Sequence, residues 1–335
     1  MIPHLSDVLA DAPFELHAQV AGVGVRLLCN TPRLFDELSR HYRPGRLPAG
    51  TVPTTVVARH GKPLPTLPRG TPAKLLRGTY EETEAPFEGR LFREVGAKVT
   101  AMALPGTCLV AGDLHRASSR ICDFVDLMVT EQLVSLGYQL SSAQGVSRDG
   151  IGIVLAGPRE TLPDVVAARL MEAGYAALGG HPLLLGLGPE GARMVGSTGD
   201  LHLSAAAVLS SARLSRHCTT EQLGRYARLP RATLERPVER VGLSPGDPRA
   251  VGLRVAEHAV HLVILFRWRS DLRKEMNLRP ATPRERELML QPFDGVPESL
   301  APTTMVAEGQ MDVTALCQSL QLAFNEVHVS PATAS

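Results

Sequence analysis

Aromatic side chains make up only 4% of the sequence, and Trp268 is its single tryptophan. That is poor material for stacking nucleic-acid bases or sugar rings. A surplus of either charge is also lacking: 35 Lys and Arg face 34 Asp and Glu, a formal net charge of +1. This balance argues against a polybasic binder, so neither nucleic acid nor a membrane surface is expected as a partner. No run of about 18 apolar residues exists, which excludes a membrane-spanning helix. The five cysteines (Cys29, Cys108, Cys122, Cys218, Cys317) form no Cys-x-x-Cys pair. Scattered and odd in number, they read as reduced thiols of a cytoplasmic protein, with no disulfide framework or zinc site. The opening residues, Met1 to Asp7, show no basic region followed by an apolar stretch, so no secretory signal is expected.

What is present is globular in composition, at 44% hydrophobic and 21% charged residues, and it alternates strand-like with helix-like patterns. Residues 1–58 read as a small α/β module. Phe14 to Val20 and Gly24 to Cys29 are strands around an Ala21-to-Gly24 turn, and Thr31 caps a helix with Pro32 at its first position. Residues 59–84 carry Pro63, Pro65, Pro68 and Pro72 among basic side chains, which predicts a linker. Residues 85–300 read as an α/β core, and 301–335 as a tail with one short helix, Val313 to Phe324. Within the core, a strand pair surrounds Pro105-Gly106, and a helix is expected from Asp113 to Leu136 with Gly137 as its cap. The apolar run Leu262 to Phe266 predicts a strand buried on both faces, inside a longer strand from Val255 to Trp268.

One unit has the outline of a phosphate site. An apolar strand ends at Gly157, a short loop follows, and a helix runs from Val165 to Ala173 with Gly174 behind it. A working loop of this kind needs a second glycine, then lysine, then a hydroxyl, for close backbone approach, charge and magnesium. Those positions hold Leu162, Pro163 and Asp164. Leu162 adds a Cβ where the backbone must come close, and Pro163 has neither charge nor N–H. Glu160 and Asp164 place carboxylates at a helix N-terminus, where they repel a polyanion, and Arg159 alone offsets them. The loop is disarmed as a phosphate site.

At this point the chain resembles the HPr kinase/phosphorylase-related family, in particular its HPr kinase-related kinase B branch. The resemblance runs through Gly137-Tyr138, Gly150 to Gly157, Ala167, Leu170-Met171 and Gly174-Tyr175. It continues more loosely through Leu183 to Leu185, Ser210 to Leu214, Leu262 to Arg269 and Leu290 to Phe293, and upstream through Ala111 to Leu114. Roughly two thirds of the chain is covered. The resemblance implies a P-loop-kinase-like α/β core, the fold of HPr kinase and PEP carboxykinase. It also implies where the family's chemistry should lie. The family's histidine before the strand falls on Ser142, and its loop lysine and hydroxyl on Pro163 and Asp164. Its acidic motif falls on Gly179 to Pro182, with His181 for aspartate, and its basic segment on Gly199 to His202. With four losses in one site, the resemblance implies the fold without the activity.

The expectation is therefore a catalytically silent kinase-like protein that binds a protein partner, an active relative or the product of a neighbouring gene. No cofactor is expected. ATP and magnesium enter only under the alternative, an atypical kinase or phospho-ligand enzyme using Arg159 and the histidines. A residual cleft would draw on Ser142, His181, Asp200 and His202. His258 and His261 invite a metal, but a strand turns residues three apart to opposite faces and no third ligand stands nearby. Arg267, Arg269, Arg273 and Lys274 around Trp268 read as a charged strand end.

Overall fold

The strand from Phe14 to Val20 (β1) turns through Ala21 and Gly22, both at positive φ (53° and 79°), into Val23–Cys29 (β2). Two left-handed residues in succession suit the right-handed twist of a two-residue hairpin. The computed structural model in which this is seen describes residues 11–320, apart from 43, 49, 65–68, 74–75, 77–78, 86–87, 97, 159–162, 179–182, 197–200, 231–238, 242–256, 269–274, 311 and 313. The side chains of 202, 239–241 and 268 are likewise outside the description. The described residues divide into two units, one up to Leu136 and the other from Gly137.

In the first unit Thr31 caps the helix Pro32–Tyr42 (α1), its Oγ1 accepting the Leu34 N–H at 3.4 Å, and Leu34 and Leu38 are buried. Then come Thr54–His60 (β3), Thr71–Pro72 (β4), Tyr80–Ala85 (β5), Gly89–Glu94 (β6), Val99–Leu104 (β7) and Thr107–Gly112 (β8). All eight strands form one sheet, ordered β1-β2-β3-β8-β7-β6-β5-β4, with β2, β3 and β8 parallel. The stretch 59–84, expected as a linker, thus contributes β4 and part of β5 to this sheet. Pro63 lies between β3 and β4, Pro65 and Pro68 lie outside the described residues, and Pro72 is tolerated because β4 is an edge strand. The helix expected from Asp113 begins only at Ser119 and runs to Ser135 (α2). Residues 113–117 instead make tight turns, with Leu114 N–H donating to Gly112 and Arg116 N–H to Asp113. Leu114 is fully buried there. Gly137, at φ 93°, follows α2 as expected.

The second unit opens with Gln139–Ser141 (β9), Gln144–Arg148 (β10) and Ile151–Ala156 (β11), then the helix Pro163–Glu172 (α3). Gly174 and Tyr175 close α3 with N–H bonds to Met171 and Leu170, both 3.1 Å. Ala176–Ala177 (β12), Leu183–Gly188 (β13), Gly191–Val195 (β14) and Leu201–Leu203 (β15) follow. Three short helices come next: Ala205–Leu209 (α4), Ala212–Ser215 (α5) and Thr220–Tyr226 (α6). The last elements are Glu239–Val241 (β16), Glu257–Ala259 (β17), Leu262–Trp268 (β18), Asn277–Pro280 (β19), Pro283–Leu290 (α7) and Thr303–Gly309 (β20).

A six-stranded sheet, β12-β10-β11-β18-β20-β19, carries β11, β18 and β20 in parallel at its centre. A four-stranded antiparallel sheet, β17-β14-β13-β9, is separate from it. The expected long strand from Val255 to Trp268 is therefore two strands in two sheets. Val260 N–H donates to Ala192 and His261 N–H to Gly152, which hands the chain from one sheet to the other. Gly152 is needed at that crossing, since a Cβ there would lie 2.0 Å from the Ala259 carbonyl oxygen. The run Leu262 to Phe266 is buried apart from the half-buried Leu265, as its pattern predicts. The tail expected beyond 300 holds a central strand instead. β20 pairs in parallel with β18, and Val306 and Ala307 are fully buried. Helix does follow, described over 314–320.

Eight of the ten residues of α3 are buried, because both of its faces are covered. Val166, Ala167 and Leu170 pack with Ile153, Leu155 and Ile264 of the sheet. Val165, Ala168 and Met171 pack with residues of β15 and α4 to α6. Burial of Leu170 alone contributes about 1.5–3 kcal/mol.

Candidate functional site

Strand β11 delivers Gly157 and Pro158 to the loop that the sequence marks as a phosphate site, and α3 starts on its far side. Pro163 stands at the first helical position, where its missing N–H costs the helix nothing. Asp164 follows and is 7% exposed. Its Oδ1 accepts the Val165 N–H at 3.0 Å, and its Oδ2 accepts the Ser204 N–H at 2.9 Å. Ser204 in turn caps α4 through its hydroxyl, which accepts the Ala207 N–H at 3.1 Å. A carboxylate thus sits at the helix start, where a bound phosphate would need unspent N–H groups.

The other end of α3 repeats the device. Glu172 Oε1 accepts from the Ser211 hydroxyl and the Arg213 N–H, both at 2.5 Å. Those bonds, the hydroxyl's first, hold the Glu172 carboxyl below its usual range. Ser211 caps α5 by accepting the Leu214 N–H at 3.1 Å. Eight residues apart on one helix, about 12 Å along its axis, the two carboxylates fasten the segment from Ser204 to Leu214 onto α3.

Of the residues singled out in the sequence, Gly157 follows β11, and Pro163 and Asp164 open α3, where both are buried. Arg159, Glu160, Leu162, His181 and Asp200 lie outside the described residues. His202 pairs through its backbone with Arg240, and its side chain lies outside the description. Ser142 is an exposed bend residue between β9 and β10. The Asp164–Ser204 bond brings the end of β15 to the start of α3, a link the sequence pattern did not reveal. A buried acid next to a proline at a helix start, with a Ser-capped helix downstream, was the available signal.

His261 Nδ1 accepts the Gly152 N–H at 3.1 Å, and the His258 and His261 rings lie 6.1 Å apart at 63°. Among the described residues, no group of three or more His, Cys, Asp or Glu is arranged to hold a metal. Arg267 pairs with Glu285 at 2.5 Å, while Arg269, Arg273 and Lys274 lie outside the described residues. Also among the described residues, no helix is long and apolar enough to cross a membrane.

The first unit holds a cluster that sequence reasoning missed. His60 and His115 stack with ring centroids 3.6 Å apart and planes at 7°. They stand where β3 ends and just beyond β8, with His115 Nε2 3.0 Å from Thr31 Oγ1 and His60 Nδ1 3.9 Å from Asp113. Desolvation first, then the neighbouring His60, lowers the pKa of His115. The lowered value favours the neutral imidazole of His115. The pair lies at the carboxyl ends of parallel strands, where α/β sheets commonly place functional side chains.

No family model matches this chain, and no curated protein matches it. Among solved structures, the HPr(Ser) kinase/phosphatase from Coxiella burnetii is similar over 57% of this chain and 97% of that chain. The TM-score is 0.32 and the sequence identity 10%. Values of that size leave the fold to be argued from its own strands and helices.

Proposed function

We propose that this chain is a catalytically silent HPr kinase-like protein that acts as a binding or regulatory partner of another protein. One observation carries the reading: the buried carboxylate of Asp164 accepts the Val165 N–H in the first turn of α3 with one oxygen and the Ser204 N–H at the cap of α4 with the other. A nucleotide phosphate entering there would meet a negative charge and a Val165 N–H already engaged. Magnesium and ATP, which the family resemblance implies, do not fit these residues. The position of the metal-holding hydroxyl is a carboxylate tied into the fold, and the position of the lysine is Pro163. No phosphoryl-transfer step is therefore derived.

What α3 keeps is a structural task. It lies between the sheet and the helices α4 to α6, held by Asp164 and Glu172, and this is the kind of rigid element on which a binding surface is mounted. The partner suggested by the resemblance is an active kinase relative. The test is to incubate the purified chain, alone and with such a relative, with magnesium and γ-labelled ATP. The reading expects no label transfer by this chain alone and a changed rate when the relative is added. Transfer by this chain alone, abolished by Arg159→Ala, would promote the atypical-enzyme reading instead.

A further inference from the structure

The carboxyl end of β11 leads toward α3, but the amino ends of the same parallel strands border an open cavity of about 340 Å³. Ile151, Leu262 and Thr303, the first residues of β11, β18 and β20, all line it. Its wall includes the buried residues Ala192, Val260, Leu262 and Pro302. Glu190, Ser299 and Leu300 line it from exposed positions, with Leu300 50% exposed. The volume falls within the range of small-molecule sites, and a mainly apolar lining with few polar groups is their usual chemistry.

His261 supplies the main directional group. It lines the cavity while its Nδ1 accepts the Gly152 N–H, so the neutral ring carries its hydrogen on Nε2 and is a donor there. Desolvation, then the nearby His258, lowers its pKa, which favours this neutral form. Among the described residues, no lysine or arginine lines the cavity, and the one carboxylate that does is Glu190. An anion would therefore find no counter-charge. A cation would leave water for apolar walls and the exposed, solvent-screened Glu190.

We propose that this cavity binds a small, uncharged, mainly apolar molecule with one hydrogen-bond acceptor, which His261 engages. The site is independent of the start of α3 and stands whether or not nucleotide binds there.

The test is a fluorescence titration of the full chain with 1-aminoanthracene, followed by displacement with 2-decanone, decanoate and decylamine at pH 7.5. Saturable probe binding is expected, with 2-decanone displacing it and the two charged analogues weaker by about tenfold or more. His261→Phe should weaken displacement by 2-decanone by about five- to tenfold, the usual worth of one hydrogen bond. Ala301→Trp should abolish probe binding by filling the cavity. Ser299→Trp, at an exposed position, does the same test should the first variant fail to fold. Absence of saturable binding, unchanged probe affinity in a folded Trp variant, or decanoate displacing as well as 2-decanone each overturns the proposal.

Discussion

The Oδ2 atom of Asp164 lies 2.9 Å from the backbone nitrogen of Ser204, and both residues are buried. This bond joins the first turn of α3 to the cap of α4, so a residue expected to repel phosphate also holds two helices together. Removing it should therefore show in stability before it shows in any binding. Asp164→Ala leaves the Ser204 N–H without a partner, at a cost of about 1–3 kcal/mol. Urea denaturation measures that loss, and faster hydrogen exchange at the Ser204 amide locates it. Unchanged stability would mean the bond contributes nothing.

Restoring a single loop residue should not restore chemistry. Pro163→Lys adds a charge and an N–H but leaves the Asp164 carboxylate bonded at the helix start. ATP hydrolysis by this variant is expected to match a buffer control. The fuller replacement, with Glu160→Gly, Leu162→Gly and Asp164→Ser as well, gives up the Ser204 bond and adds glycines. It should be less stable than the parent when no ligand is present.

In the first unit, Arg120 pairs with Glu94 at 2.6 Å and with Asp123 at 3.5 Å, and the Tyr80 hydroxyl donates to Asp123 at 3.0 Å. Glu94 and Asp123 are both buried. Arg120→Ala removes the cation that Glu94 and Asp123 share, and breaking a buried pair typically costs 3–5 kcal/mol. Because the arginine side chain is 24% exposed, about 3 kcal/mol is expected. Thermal unfolding of the variant measures the loss. A shift below about 1 kcal/mol would place the network in water rather than in the core.

The histidines give a pH dependence of definite sign. His115 and His261 both have folded pKa values below the ordinary 6.5, each through desolvation first. A lowered histidine pKa means the unfolded chain takes up protons more readily. Their contribution to stability is thus complete above about pH 6.5 and is lost as pH falls through that value toward the folded pKa. Around His115 the charged neighbours are His60, Arg33, Glu37 and Asp113. Urea midpoints measured from pH 8 to 5 should fall toward acid, and the double variant His115→Gln, His261→Gln should flatten that slope. An unaltered slope assigns it to other groups.

Much of the local structure was legible from the chain itself. The hairpin expected through Ala21 to Gly24, the Thr31 cap and the buried run from Leu262 rest on backbone chemistry or short-range periodicity; the cap and the run are found where the pattern places them, and the turn is two residues shorter, at Ala21 and Gly22. The failures involve long-range pairing. Proline density at 59–84 marked broken chain, but nothing local shows that Thr71–Pro72 pairs with Glu81–Glu82. Thr303 to Gly309 reads weakly as a strand because its burial comes from β18, over forty positions earlier. At the site, the identities of Pro163 and Asp164 at the start of α3 are plain in the sequence, since they need no fold to be read. The sequence did not expose the Ser204 partner or the His60–His115 stack, which only topology brings together.

Titration calorimetry with magnesium and ATP on the unmodified chain tests the proposed silence of this site most directly. The account predicts no saturable heat up to millimolar nucleotide, because the start of α3 already holds its own carboxylate. A micromolar dissociation constant that disappears in Arg159→Ala would contradict it.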